Sequence, residues 1–260
     1  MPRAKFVVED YFESVDTAEQ AYLLGFLAAD GNVTRNSLQL EIHSRDTCVI
    51  DMLTREIGGY RGTRDSRSTV WWRATSLRLL ASLEDLHIAR RKSDRVRVPG
   101  LVPEVERFFV LGYSDGDGYV GHSRRSVLWN LCGNEWFLKG VLEIVNRHTG
   151  ITITAPVRDG TKNMFWFRVH GNQKAGTIFE WLYEGHDLGL PRKRVRALTK
   201  FEKRTVQGER NGRSKLTEQD VRTIRKQLTA GNTQQSIADR VGVSRTTVGL
   251  IGQRKLWKVV

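Results

Sequence analysis

Two aspartates stand where stability alone would not put them. Residues 21–33 read AYLLGFLAADGNV and residues 108–120 read FFVLGYSDGDGYV. Each stretch is apolar, carries an internal glycine and ends in Asp-Gly, which reads as a short helix that is apolar on nearly every side and must be buried. Asp30 and Asp117 then fall at helix C-termini. There a carboxylate faces the negative end of the macrodipole, at a cost of ~0.3–1 kcal/mol. If the helices pair in parallel, the two carboxylates also repel one another. A divalent cation between them removes both penalties, and a pair of oxygen ligands suits Mg²⁺. A single Asp-Gly pair would pass as an ordinary helix-ending turn. Its recurrence, with the same preceding glycine and a matching downstream unit, does not.

The elements around the aspartates repeat as well. Aligning Asp30 with Asp117 sets an offset of 87 residues. Leu38-Gln39-Leu40-Glu41-Ile42 and Val127-Leu128-Trp129-Asn130-Leu131 each alternate like a half-buried strand. A polar corner and a helical segment follow each of them, and Trp71-Trp72-Arg73 and Trp166-Phe167-Arg168 mark a second strand pair. Each half closes with a helix and a basic stretch, around Arg90-Arg91-Lys92 and Arg192-Lys193. The expected unit is αββαββα, and two units form one pseudo-symmetric α+β domain. Gly25 and Ala29 lie four apart, as do Gly112 and Gly116, so each motif helix has a smooth stripe for close packing. Glycine inside a helix costs roughly 1 kcal/mol relative to alanine, so its use in both copies points to helix-on-helix contact. Gly31 and Gly118 fit glycine C-terminal caps.

Composition narrows the partner. The 260 residues carry 42 Lys+Arg against 29 Asp+Glu, a formal net charge of +13. The whole excess lies in residues 191–260, which hold 18 Lys+Arg and 5 Asp+Glu. Such a segment attracts polyanions, nucleic acid above all. No apolar run approaches the ~18 residues of a membrane span. The first residues lack a signal peptide's apolar stretch, and Cys48 and Cys132 make neither a disulfide framework nor a zinc cluster. A cytoplasmic location, at the nucleoid or in a phage-infected bacterial cell, is expected.

Leu23-Leu24-Gly25-Phe26-Leu27-Ala28-Ala29-Asp30-Gly31 and Val110-Leu111-Gly112-Tyr113-Ser114-Asp115-Gly116-Asp117-Gly118 resemble the two motifs of LAGLIDADG homing endonucleases. The resemblance spans about residues 6–200. It implies two αββαββα lobes, 1–98 and 99–200, whose sheets sit over the DNA major groove with the motif helices between them. It further implies a monomer that cuts both strands of double-stranded DNA with Mg²⁺, or Mn²⁺ as a substitute, at Asp30 and Asp117. A basic residue from the end of each lobe is expected near the pocket, with Lys92 and Lys193 as candidates. Position six of the motif is Ala28 in one copy and Asp115 in the other, and the family needs no acid there. Ser114 stands at a usually apolar position and is expected to loosen the helix packing.

Period two separates the strand faces. Trp71, Arg73 and Thr75 share one face, and Trp166, Arg168 and His170 share its counterpart. These are the expected groove readers, since arginine bonds guanine edges. Val70, Trp72 and Ala74, with Phe165, Phe167 and Val169, read as core. Arg61, Arg64 and Arg67 on one turn, and the turn 158–163, are expected to reach phosphates.

Residues 201–213 read as a linker. Residues 214–260 resemble a helix-turn-helix: Thr217 caps a first helix, Ala238 marks the helix crossing, Gly242 lies in the turn and Ser244 caps the last helix. That helix would present Arg245, Thr246, Thr247 and Gln253 to the major groove. Two rival functions share these features: a non-catalytic DNA-binding regulator with a LAGLIDADG-like domain, and an RNA maturase. Retention of both aspartates argues against the regulator.

Overall fold

The computed structural model describes residues 6–90, 95–123, 126–160, 164–199 and 214–257. The chain divides into two compact units, Met1–Phe201 and Glu202–Val260.

In the first unit the element order repeats. One half runs α1 (Ala18–Asp30), β1 (Asn32–Val33), β2 (Leu38–His43), α2 (Cys48–Glu56), β3 (Tyr60–Arg64), β4 (Thr69–Ala74) and α3 (Leu77–Asp85). The other runs α4 (Pro103–Asp117), β5 (Gly118–Ser123), β6 (Ser126–Gly133), α5 (Glu135–Thr149), β7 (Val157–Arg158), β8 (Phe165–His170) and α6 (Lys174–Tyr183). A further helix, α7 (Pro191–Ala197), follows the second half. The fold is α+β. Among the described residues, antiparallel sheets ordered β1-β2-β4-β3 and β5-β6-β8-β7 share one topology.

The strands separate their faces as their alternation requires. In β2 and β4, Leu38, Leu40, Ile42, Val70, Trp72 and Ala74 are buried, while Glu41, His43 and Arg73 are exposed. In β8, Phe167 and Val169 are buried and Phe165 half-buried. The buried indoles need a partner for their N–H. Trp72 Nε1 donates to the Gly58 carbonyl at 2.7 Å and Trp129 Nε1 to Ser114 Oγ at 2.9 Å. Ser114 therefore does not loosen the motif helix. Its hydroxyl ties that helix to β6.

The core runs through both halves, with α1 and α4 inside it. Helix α1 starts at a capping box, in which Thr17 Oγ1 accepts from Gln20 N at 3.2 Å and Gln20 Oε1 accepts from Thr17 N at 3.1 Å. Helix α4 starts instead with Pro103 at its first turn. The two helices meet backbone to backbone. A Cβ built on Gly25 would stand 2.9 Å from Tyr113 N and collide with the Phe109 carbonyl oxygen. One built on Gly112 would stand 2.8 Å from Phe26 N and collide with the Tyr22 carbonyl oxygen. The small-residue stripe is thus the contact itself.

Gly31 and Gly118 end these helices, but not in the left-handed conformation of a glycine cap. Their φ values are −64° and −97°. Glycine is needed for another reason: a Cβ would lie 2.5 Å from the Leu27 carbonyl oxygen at Gly31, and 2.8 Å from Ser114 Oγ at Gly118.

Among the described residues of the second unit, α8 (Glu218–Thr229), α9 (Gln234–Val241) and α10 (Arg245–Gly252) pack around Leu216, Val221, Ile224, Ile237, Ala238, Val248 and Ile251. Thr217, Thr233 and Ser244 cap them through their side-chain oxygens. Gly242 turns the chain between α9 and α10 at φ +71°, which favours glycine.

Candidate active site

Because α1 and α4 lie so close, their C-termini meet. A Cβ on Gly116 would stand 3.3 Å from Asp30 Oδ2, so the Asp30 carboxylate abuts the turn of α4 that carries Asp117. Asp30 is exposed and Asp117 half-buried. Tyr113 reports on both. Its hydroxyl donates to the Cys132 carbonyl at 3.0 Å, burial pushes its pKa well up, and the charges of Asp117 and Asp30 both add to the shift. Burial likewise raises the Cys132 thiol, with Asp117 and Asp30 contributing. Two carboxylates thus converge at one edge of the paired helices.

The donor set can be tested against a metal. Among the described residues no cluster of three or more His, Cys, Asp or Glu side chains forms a closed metal cage. An oxygen pair at a partly exposed edge is what Mg²⁺ uses when water and substrate phosphate complete its shell. The residues present fit that ion.

The site's surroundings hold features that motif spacing did not reveal. Lys193 is buried on α7, and its Nζ donates to the carbonyls of Ser114 at 2.8 Å, Asp115 at 2.7 Å and Gly118 at 2.6 Å. All three ammonium donors are thereby used. Lys193 caps the helix that carries Asp117, and the Asp30 charge also acts on its ammonium. Burial brings its pKa down to about 8, against the opposing pull of Asp115. Lys92, its expected counterpart, lies outside the described residues.

Asp115, for which the motif gave no role, is buried at the same place. Its Oδ2 accepts from Tyr22 Oη of α1 at 3.0 Å and from Leu190 N, ahead of α7, at 2.7 Å. Burial pushes its pKa up to about 6, although Lys193, Leu190 N–H and Tyr22 all oppose the shift. Arg192 reaches the other half of the unit. Its Nε and Nη2 each donate to one oxygen of Asp46 at 2.8 Å, a bidentate fork. Burial acts to raise the Asp46 carboxyl, but the Arg192 hydrogen bonds outweigh it and hold the pKa below its ordinary value. Helix α7 is therefore tied to α4 through Lys193 and to the first half through Arg192.

The sheet faces remote from the helices carry the expected readers. Gln39 pairs with Arg73 and Glu41 with Trp71 in one sheet, as Asn130 pairs with Arg168 and Cys132 with Trp166 in the other. Arg73, Arg168 and His170 are exposed, and Trp71 and Trp166 half-buried. The Trp71 indole lies against Gly62, where a Cβ would come within 2.7 Å of the ring. The Arg168 guanidinium sits 5.2 Å from the Trp166 ring centroid. Asn32, Gln39, Glu41, Arg64, Trp71 and Arg73 bound an open groove of about 310 Å³.

The arginine turn splits. Arg64 stays on the groove face and Arg67 is exposed. Arg61 pairs in register with buried Trp72, so it points to the helix side, where it forms an ion pair with Asp51 of α2. Its expected phosphate role has no support in that placement. In the turn 158–163, residues 161–163 lie outside the described residues. In the second unit, Arg245, Thr246 and Gln253 are exposed, whereas Thr247 is half-buried with its hydroxyl 2.8 Å from Ser244 Oγ.

Comparison with solved structures finds similarity to LAGLIDADG endonucleases. The homing endonuclease I-SmaMI bound to cleaved DNA superposes with a TM-score of 0.43 at 12% identity, over 65% of this chain and 84% of that one. I-SmaMI bound to an uncleaved DNA target with calcium ions gives 0.41 at 14% identity, over 65% and 85%. The meganuclease I-AabMI bound to uncleaved DNA gives 0.46 at 11% identity, over 65% and 84%. No protein-family model matches the chain. No curated protein matches it either.

Proposed function

We propose that this chain is a divalent-metal-dependent, site-specific double-strand DNA endonuclease of the LAGLIDADG homing type, acting as a monomer in the cytoplasm or nucleoid. One observation carries the reading: the end of α1 sets the Asp30 carboxylate against the turn of α4 that carries Asp117, with both charges acting on Tyr113 and Cys132, in a close packing whose spacing Gly25 and Gly112 set. A helix C-terminus disfavours a carboxylate at either position, and two carboxylates near one another repel.

Asp30 and Asp117 would hold Mg²⁺. When bound, the ion supplies Lewis-acid charge stabilisation for in-line displacement at phosphorus. The chain's own contribution is position. Gly25 and Gly112 set the spacing of the helix ends. Lys193 occupies the last carbonyls of α4, so the turn bearing Asp117 is held from behind. Asp46 and Arg192 fasten the closing helix across the two halves. Arg73 and Arg168, on register-equivalent strands, would contact bases in opposite half-sites. We read α9 and α10 as a helix-turn-helix that lengthens the recognised site, with Arg245, Thr246 and Gln253 as its readers.

The test is cleavage of a randomised duplex DNA library by the full chain with and without Mg²⁺. Recovery of double-strand ends at one defined site, only with the metal, is the expected result. Sequence-selective binding without cutting would favour the regulator instead.

A further inference from the structure

Glu41 is an acid on the face proposed to meet the polyanion. Register makes Cys132 its equivalent, since each is paired with the tryptophan of its own sheet, Trp71 or Trp166. The neighbouring positions, by contrast, match: Gln39–Arg73 in one sheet and Asn130–Arg168 in the other. The carboxylate is also held in place. Its Oε1 accepts from Thr69 Oγ1 at 2.8 Å, and its Oε2 lies 3.3 Å from Arg64 Nη1. Each carboxylate oxygen has two lone pairs, so each keeps an unused acceptor site, and Glu41 lines the groove together with Gln39, Arg64 and Arg73.

We propose that Glu41 is a specificity-determining residue that reads a cytosine in one half-site. The assignment rests on the DNA-facing reading of the sheet. In the major groove the base-edge donors are cytosine N4 and adenine N6. Adenine places its N7 acceptor beside that donor, where a carboxylate is repelled; cytosine offers the donor alone. The pairing with Arg64 fits the same base-pair type, because arginine suits guanine O6 and N7. Thr69 and Arg64 orient the carboxylate before DNA arrives, so little ordering is left to be done on binding.

Selection of bound duplexes from a randomised DNA library, in Ca²⁺ to separate binding from cutting, tests this with the full chain and its Glu41→Gln, Glu41→Ala and Arg64→Ala variants. The parent protein should enrich cytosine at one position of one half-site. Glu41→Gln should change that cytosine to adenine, because glutamine bonds N6 and N7 together. Glu41→Ala should lose the preference there by about tenfold. Three results would overturn the assignment. An unchanged base profile in both Glu41 variants is one. A Glu41→Ala profile that differs from the parent only where Arg64→Ala does, with no switch to adenine in Glu41→Gln, is another, since Glu41 would then merely position the arginine. Failure of the parent chain to enrich any sequence is the third, and it alone would also remove the DNA reading beneath the proposal.

Discussion

Gly25→Ala and Gly112→Ala add one methyl group each at the closest approach of the motif helices. At Gly25 the new carbon would stand 2.9 Å from Tyr113 N and from the Phe109 carbonyl carbon. Ordinary contact begins near 3.4 Å, so the helices must separate by about 0.5 Å, and by more to clear the Phe109 oxygen. The obstructing atoms are backbone and cannot rotate aside. Overpacking of this kind costs ~1–3 kcal/mol, while removing a helical glycine returns ~1 kcal/mol. The net loss is therefore ~0–2 kcal/mol, which lowers Tm by no more than about 8 °C in a unit of this size. Catalysis should suffer more. The same opening displaces Asp30 from Asp117, and a misplacement of ~1 Å costs on the order of 10²-fold in rate. Single-turnover cleavage of the selected site, run beside thermal melting and DNA-binding titration, separates these effects. The expected pattern is a small fall in Tm, affinity within a few-fold of the parent, and cutting slowed by roughly 10²-fold. Gly176→Ala, where an added Cβ meets nothing within 4 Å, is the control and should leave cutting unchanged. Parent-like cleavage by both Gly25→Ala and Gly112→Ala would refute the argument that glycine sets the spacing of the carboxylates.

Lys193→Met keeps the bulk of the side chain but leaves three carbonyls and the buried Asp115 carboxylate without their ammonium. Thermal or urea melting should show a loss of ~3–5 kcal/mol, and a parent-like melt would deny Lys193 its capping role. Asp46→Asn tests the clamp to Arg192. Because the folded pKa of Asp46 is held below its ordinary 3.8, its contribution is complete above that value and disappears as the pH falls through the lower folded value. The parent should therefore lose its stability advantage over Asp46→Asn on acidification below about pH 4, and a constant difference down to the acid limit would count against the ion pair. Truncation after Lys203 removes 12 Lys+Arg and 4 Asp+Glu. The salt dependence of binding should flatten by ~0.9 in log–log slope for each phosphate the shortened chain no longer neutralises, with cutting retained. Equal slopes and equal footprints would mean that the second unit does not read DNA.

Much of the fold was legible because burial writes a period into the sequence. The two apolar stretches marked α1 and α4, and alternation marked β2, β4, β6 and β8, down to the exposed Arg73 and Arg168 and the buried Trp72 and Phe167. What stayed hidden depended on side chains meeting across long separations. Nothing near Lys193 signals that its ammonium folds back onto carbonyls some 75 residues earlier. Asp115 looked dispensable because its partners, Tyr22 and Leu190, lie on other elements. Arg61 looked like a phosphate ligand because an edge strand shows little sequence alternation; register with Trp72 turns it towards Asp51 instead. Glu41 does not stand out as a reader in the sequence because strand alternation says which residues are exposed, not which of them are held rigid.

Asp30→Asn and Asp117→Asn probe the proposal that Asp30 and Asp117 form one metal-dependent cutting site. Each keeps its shape and loses its charge. On the site recovered from the library, binding and double-strand cutting should be measured for both variants across a Mg²⁺ titration. Each single variant should bind as tightly as the parent or more so, since a charge repelled by phosphate is gone, and neither should make double-strand cuts at any Mg²⁺ concentration. Full Mg²⁺-dependent double-strand cutting by either variant would contradict it.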